Sequence, residues 1–293
     1  MAVSKRQKRQ AAEAQKRKTR NLYIAATAFA VVILAVVGLV IFKVAGGDSK
    51  PKPAAASNLA PTSVVDAVSN WSTDTLNAVG TSGALTVPKA ISGPPLKQNG
   101  KPLVVYIGAE YCPFCAAERW AMVAALARFG KWHNLGATHS STSDVYPDTA
   151  TFSFHGADYA SSYVAFQGKE TASNVPQNGA YAPLDTLTPE QEALIRTYDA
   201  APYVSSADAG SIPFIDFANQ FLVAGASYDP QVLQGMSMSE IAAQLENPKS
   251  DVAHAIGGTT NALTAAICGT TNQEPASVCT QPAVQAAAKR IGG

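Results

Sequence analysis

Two cysteines separated by two residues, Cys112 and Cys115, are the side chains whose types and spacing point most directly to chemistry. Thiol–disulfide exchange needs a thiolate that attacks and a second thiol close enough to resolve the mixed disulfide, and a C-x-x-C pair supplies both. At the start of a helix, the N–H groups of the first turn and the helix dipole stabilise the first thiolate. We therefore interpret Cys112 as the nucleophile and Cys115 as the resolving thiol.

The residues around the pair predict a strand, a turn and a helix that would position it. Residues 103–107 are an apolar, β-branched run typical of a strand buried on both faces, and Gly108 interrupts it. Pro113 suits the first helical position, where its missing N–H costs nothing. This arrangement places Cys112 at the N-cap and Cys115 one turn inside the helix. Beyond them, one apolar stripe is predicted to face the core: Trp120, Val123, Leu126 and Phe129.

The C-x-x-C pair has two other interpretations, a zinc site and a structural disulfide. A zinc site usually needs a second such pair or histidines at ligand spacing, and the four histidines of the chain are scattered. A purely structural disulfide is disfavoured because so small a ring removes little entropy from the unfolded chain. Glu110, two residues before Cys112, is a candidate proton relay to the cysteines. The alternative is a solvated carboxylate at the end of a strand.

The N-terminal part of the chain predicts membrane attachment. Residues 22–42 carry no charge, and a helix of this length spans a hydrocarbon core of about 30 Å. The length favours an uncleaved anchor over a cleavable signal peptide. Eight of the 22 basic residues and one of the 21 acidic residues precede this run. A basic arm can bind nucleic acid or anionic lipid, but the positive-inside rule explains it more simply and keeps the arm cytoplasmic.

These features divide the chain into four parts. We expect a basic cytoplasmic arm over residues 1–21, a transmembrane anchor over 22–42, a tether with short helices over 43–87, and a main domain over 88–293 outside the cytoplasm. All four cysteines then lie where disulfides form and persist.

The second pair of cysteines, Cys268 and Cys279, encloses ten residues. Four cysteines allow three connectivities, and local pairing is the simplest. A disulfide closing this ring would contribute on the order of 3 kcal/mol and hold the tail in place. The alternative is a second pair that relays electrons.

The rest of the main domain predicts one α/β unit with a helical tail. Thr188 begins a helix with a capping box, and residues 211–217 and 220–224 predict a hairpin. A helix over 251–268 is weakened by two central glycines. Three further segments are predicted as an edge strand, a loop and a short last helix: 85–87, 174–183 and 281–290.

The chain resembles the thioredoxin superfamily in the strand over 103–107, the sequence AEYCPFC over 109–115, and Ile212-Pro213 opening a hairpin. The resemblance implies a thioredoxin-like α/β fold in which Pro213 forms the substrate-side wall opposite the cysteines. It also implies that the Ile212 backbone contacts the substrate.

The two residues between the cysteines extend the resemblance. Pro113 and Phe114 look more like the motif of glutaredoxins and disulfide-bond proteins, which places both among the substrate-binding residues. More closely, residues 88–281 resemble an uncharacterised family of membrane-anchored, exported thioredoxin-like proteins with a CPFC motif. The segment 130–211 is longer than a minimal fold needs, which predicts an insertion or lid, and the tail predicts a C-terminal helical extension.

Together these observations predict a membrane-tethered thiol–disulfide oxidoreductase acting on cysteines of exported proteins. No external cofactor and no metal are expected, because the cysteine pair carries the electrons, and a membrane redox partner would recycle it. Oxidation, reduction and isomerisation all fit the pattern. The alternatives are a non-catalytic thioredoxin-like envelope scaffold and a metal-handling protein whose reduced form binds copper or zinc. Met236 and Met238 are of a type that can ligate copper, but no Cys or His is adjacent to them, which favours ordinary core or surface methionines.

Overall fold

The computed structural model describes residues 58–291, which form a mixed α/β fold. The basic arm, the predicted anchor over 22–42 and the tether up to residue 57 lie outside the described residues. None of the helices between residues 58 and 291 combines the length and the apolar character needed to cross a membrane.

The secondary structure alternates between helices and short strands. The described helices, in chain order, are α1 (Thr62–Ser69), α2 (Thr73–Val79), α3 (Pro113–Ala127), α4 (Pro189–Tyr198), α5 (Met238–Gln244), α6 (Asp251–Thr270), α7 (Ala276–Cys279) and α8 (Pro282–Ile291). The described strands are β1 (Lys89–Ala90), β2 (Lys97–Gln98), β3 (Lys101–Gly108), β4 (Gly130–His133), β5 (Gly136–His139), β6 (Ala150–Ser153), β7 (Asp158–Ser161), β8 (Ala165–Glu170), β9 (Ala172–Gln177), β10 (Ala180–Pro183), β11 (Phe214–Phe217) and β12 (Phe221–Ala224).

The strand β3 lies in the middle of the central sheet. It pairs parallel to β8, with Leu103 opposite Ala165, and antiparallel to β11, with Ile107 opposite Phe214. The strand β12 pairs antiparallel to β11, and β1 follows at the edge. Short antiparallel pairs outside this sheet are β4–β7, β5–β6 and β9–β10.

Helices cover both faces of β3, which explains its continuous apolar sequence. Val104 and Tyr106 belong to the larger core, which also contains side chains of α3 and α6. Val105 and Ile107 belong to a smaller core with Tyr198 of α4. The predicted buried strand is therefore confirmed, one or two residues longer at each end than its apolar run.

The helix α3 differs from its prediction. Its residues from Cys115 to Leu126 are all buried, so the helix is covered on every side and does not present a single apolar stripe. The helix packs against α6, α1, β4 and β6, and its many alanine side chains are small enough to let neighbouring elements cover it on all sides.

Two predictions, for segments on either side of the cysteine pair in sequence, were wrong. The predicted loop over 174–183 is the hairpin of β9 and β10, because Asn178 and Gly179 both adopt positive φ as an Asn-Gly hairpin turn requires. The predicted edge strand over 85–87 is not a strand. Leu85 and Thr86 instead donate their backbone N–H groups to the carbonyl of Ser227.

The tail helices agree with their predictions in outline. The helix α6 runs unbroken through its two glycines. Position 258 requires glycine, because a Cβ there would lie 2.9 Å from the backbone nitrogen of Gly83. Helix α8 matches the predicted last helix within one residue at each end. The hairpin of β11 and β12 and the capping box at Thr188 are also confirmed.

Candidate active site

The strand–turn–helix unit places the two cysteines as the sequence predicts. Cys112 is the N-cap of α3, with an extended backbone at φ −80° and ψ 122°, and Pro113 occupies the first turn. The sulfur of Cys112 accepts a hydrogen bond from the backbone N–H of Cys115 at 3.4 Å. Both cysteines are free thiols in the structure.

The two thiols differ in their environments. Cys112 is 6% exposed and Cys115 is fully buried. A hydrogen bond from the Cys115 thiol lowers the pKa of Cys112 and outweighs the opposing effect of burial. The backbone N–H of Cys115 and the charge of Arg119 lower this pKa further. Burial raises the pKa of Cys115 well above its ordinary value, so Cys112 ionises first.

The segment Ile212-Pro213, which the resemblance places at the site, reaches Cys112 through the carbonyl of Ile212. The thiol of Cys112 donates to the carbonyl oxygen of Ile212 over 3.7 Å, and the Ile212–Pro213 peptide is cis. Pro213 is buried directly before β11, where its carbonyl accepts the backbone N–H of Gly225. The central sheet thus brings Ile212 to the start of α3 although the two lie far apart in sequence.

A groove of about 480 Å³ opens beside Ile212 and Phe114. Phe114 is 39% exposed and packs edge-to-face on Tyr146, with 5.9 Å between ring centroids. Asp208 and Asp229 also line the groove, and none of its described lining residues is cationic. The groove beside Ile212 therefore combines apolar surface with negative charge.

A buried ion pair lies beneath the cysteines. The Nε of Arg119 contacts Glu170 Oε1 at 2.8 Å, and its Nη2 contacts Glu170 Oε2 at 2.9 Å and the carbonyl of Ala109 at 2.6 Å. Both side chains of the pair are fully buried. The sequence signal for this pair is an arginine inside an apolar helix, four residues after Cys115. The sequence does not identify Glu170 as the partner, because Glu170 lies on β8 and the pairing of β3 with β8 is not local.

The side chain of Glu110 lines a cavity that neither cysteine lines. Its backbone N–H donates to the carbonyl of Ala172, and its side chain lines a separate cavity of about 550 Å³ with His139 and His155. Within residues 58–291, no hydrogen bond joins its carboxylate to Cys112 or Cys115. The proton-relay role of Glu110 therefore gains no support from hydrogen bonding to the cysteines.

A second carboxylate, which the sequence reasoning missed, holds the wall of the groove. Glu118 is fully buried in α3 and accepts hydrogen bonds from the backbone N–H of Ser227 at 2.8 Å and from its hydroxyl at 3.0 Å. Burial raises the pKa of Glu118 to about 7 against these two hydrogen bonds. Since the carbonyl of Ser227 also accepts the backbone N–H groups of Leu85 and Thr86, Glu118 fixes one side of the groove to α3.

The second pair of cysteines forms a disulfide. Cys268 at the end of α6 and Cys279 in α7 are both buried, and their Cα atoms are 5.7 Å apart.

Across residues 58–291, no group of three or more His, Cys, Asp or Glu side chains is placed to hold a metal ion.

Comparison with known proteins identifies the family but not an activity. The family model described as a domain of unknown function, DUF929, matches residues 88–269, and the chain belongs to this family. No curated protein and no solved structure matches the chain.

Proposed function

We propose that this DUF929 protein is a membrane-tethered, extracytoplasmic thiol–disulfide oxidoreductase that acts on cysteines of exported proteins. The observation that carries the proposal is the inequality of the two thiols at the start of α3. Cys112, with its lowered pKa, contacts the carbonyl of Ile212, a residue that lines the groove, while Cys115 is fully buried with a raised pKa. An attacking thiol and a resolving thiol require this inequality.

We further assign the domain to the thioredoxin-like class. Support comes from the order β12–β11–β3–β8, with β3 parallel to β8 and antiparallel to β11. The cysteine pair follows β3, and the buried Pro213 directly precedes β11, as the resemblance of the sequence implies.

In the reducing direction, the Cys112 thiolate attacks one sulfur of a substrate disulfide. A mixed disulfide forms, and the other substrate sulfur leaves as a thiolate. Cys115 then attacks the sulfur of Cys112, which forms the Cys112–Cys115 disulfide and releases the second substrate thiol. Two electrons pass from the enzyme pair to the substrate, and the reverse sequence oxidises a substrate dithiol.

The proposed enzyme would have two kinds of partner, a protein substrate and a redox protein of the membrane. The groove at Ile212 and Phe114 would receive an extended segment of the substrate on either side of its cysteine. Pro113, which the resemblance also implies in substrate binding, is buried in the first turn of α3 and does not line this groove. A redox protein of the membrane would return the pair to its working state, since each turnover leaves it in the opposite redox state. The uncharged run over 22–42 supports attachment to the membrane.

The test uses the full-length protein in detergent with insulin as substrate and dithiothreitol as reductant. We expect Cys112→Ser to abolish catalysed insulin reduction. We expect Cys115→Ser, the matched control, to trap a mixed disulfide between Cys112 and insulin that is visible on a non-reducing gel, provided that the variant is first reduced and then freed of dithiothreitol before insulin is added. Equal activity of Cys112→Ser and the unchanged protein would overturn the proposal and leave a non-catalytic role.

A further inference from the structure

Two buried polar groups near Cys115 have no hydrogen-bond partner within the described residues. They are the hydroxyl of Tyr106 and the Nη1 of Arg119. Both side chains are fully buried. Buried polar groups in folded proteins are nearly always paired, so two unpaired donors in one place call for an explanation.

The hydroxyl of Tyr106 and the sulfur of Cys115 meet over Gly108. Tyr106 and Gly108 lie on the same face of β3, since side chains alternate along a strand. A Cβ added to Gly108 would collide with the Tyr106 hydroxyl and would lie 3.0 Å from the Cys115 sulfur. Only glycine leaves room for this approach. Arg119 follows Cys115 by four residues and therefore lies on the same face of α3.

Cys115 needs hydrogen-bond donors at one moment of the proposed reaction. It must become a thiolate to attack Cys112, and a buried thiolate without donors is costly. A phenol and a guanidinium both donate hydrogen bonds. The charge of Arg119 acts on both Cys115 and Tyr106, which agrees with their proximity.

We propose that Tyr106 and Arg119 form a thiolate-binding site for Cys115 that is filled in the resolving step. The proposal rests on the proposed function. The Cys115 thiolate accepts hydrogen bonds from the Tyr106 hydroxyl and from Arg119 while it attacks Cys112. The Cys115–Cys112 bond forms, the bond from Cys112 to the substrate sulfur breaks, and the proton of Cys115 ends on the departing substrate thiol. Burial raises the pKa of Tyr106 well above its ordinary value, so Tyr106 keeps its proton throughout.

The simpler explanation is that Tyr106 serves only to pack its ring. The ring lies edge-to-face on Phe154 with 4.8 Å between centroids, and phenylalanine would keep this contact. Under that explanation Tyr106→Phe removes an unpaired hydroxyl and changes nothing in catalysis. Under the proposal the same change impairs one chemical step. In both cases the variant should stay folded, because phenylalanine keeps the ring packing against Phe154.

The experiment follows the reaction of the reduced full-length protein with 5,5′-dithiobis(2-nitrobenzoate) by stopped flow. With Cys268 and Cys279 in a disulfide, two thiols remain, and each releases one coloured thiolate. The first phase reports attack by Cys112 and the second reports resolution by Cys115. We expect Tyr106→Phe to slow the second phase about tenfold, the effect of losing one hydrogen bond to a charged group, and to leave the first phase within about twofold.

The control variant is Tyr159→Phe, which removes a hydroxyl that donates to the carbonyl of Leu126 at the far end of α3. It should leave both phases unchanged. A second measurement titrates the Cys115 thiolate by its absorbance at 240 nm in Cys112→Ser, with and without Tyr106→Phe. The added change should move the titration to higher pH. An unchanged rate of the second phase or an unchanged titration overturns this proposal. If Cys112→Ser still reacts at the rate of the first phase, the proposed function is overturned instead.

Discussion

The thiol of Cys112 donates to the carbonyl oxygen of Ile212 across 3.7 Å, joining the first turn of α3 to the segment before β11. Ionisation of Cys112 removes the shared hydrogen. The Ile212 carbonyl then becomes free to accept an N–H from the backbone of a bound peptide. Under the proposed function, formation of the nucleophile and exposure of an acceptor for the substrate backbone are thus one event.

The first prediction concerns the order in which the thiols react. Iodoacetamide at neutral pH should modify Cys112 at least about tenfold faster than Cys115, because the pKa of Cys112 is lowered and Cys115 is buried with a raised pKa. Peptide mapping by mass spectrometry over a time course measures both rates. Equal rates would contradict the assignment of the nucleophile.

The second prediction concerns the buried ion pair. Arg119→Met should lower the free energy of unfolding by about 3–5 kcal/mol, because it leaves the Glu170 carboxylate buried without its partner. Combining it with Glu170→Met should restore most of this loss. The doubly changed protein should also show a raised pKa for Cys112, which loses the charge of Arg119. Denaturant unfolding and thiol titration test both parts, and a double variant as unstable as the sum of the singles would refute the argument.

The third prediction is a pH dependence of stability that arises from Glu118. Its pKa is raised from 4.5 to about 7 by burial, so the folded protein holds the proton more tightly than the unfolded chain. Stability from this group is complete below pH 4.5 and is lost as the pH rises through about 7. Relative to Glu118→Gln, the unchanged protein should lose about 3 kcal/mol of unfolding free energy across this interval. A difference that stays constant with pH would contradict the burial of this carboxylate.

The fourth prediction separates the two pairs of cysteines. Replacing Cys268 and Cys279 together by alanine should lower the free energy of unfolding by about 3 kcal/mol, the effect of opening a ring of this length. The rate at which Cys112 reacts with 5,5′-dithiobis(2-nitrobenzoate) should stay the same in the folded variant. A loss of insulin reduction without a loss of stability would favour the electron-relaying alternative.

The parts of the fold that the sequence predicted are those fixed by local chemistry. The N-cap position of Cys112 follows from Pro113, and the helix at Thr188 follows from its capping box. The hairpin at Asn178 and Gly179 differs from the prediction although its turn residues are local, because the overall composition of the segment predicts a loop.

The parts that were not predicted depend on contacts between distant segments. Arg119 and Glu170 meet only because β3 pairs with β8, and Glu118 binds Ser227 across a separation of 109 residues. The unpaired hydroxyl of Tyr106 likewise has meaning only beside Gly108 and Cys115. Pairing of distant segments decides which polar residues share a buried environment, and apolar periodicity carries no information about it.

The reduction potential of the Cys112–Cys115 pair tests the central claim most directly. Full-length protein is equilibrated with mixtures of reduced and oxidised glutathione, and the fraction of reduced pair is measured by alkylation and mass spectrometry. A redox-active pair should titrate reversibly between about −120 and −270 mV, the range of known exchange proteins. A pair that stays oxidised below about −300 mV, as structural disulfides do, would contradict an exchange function for this site.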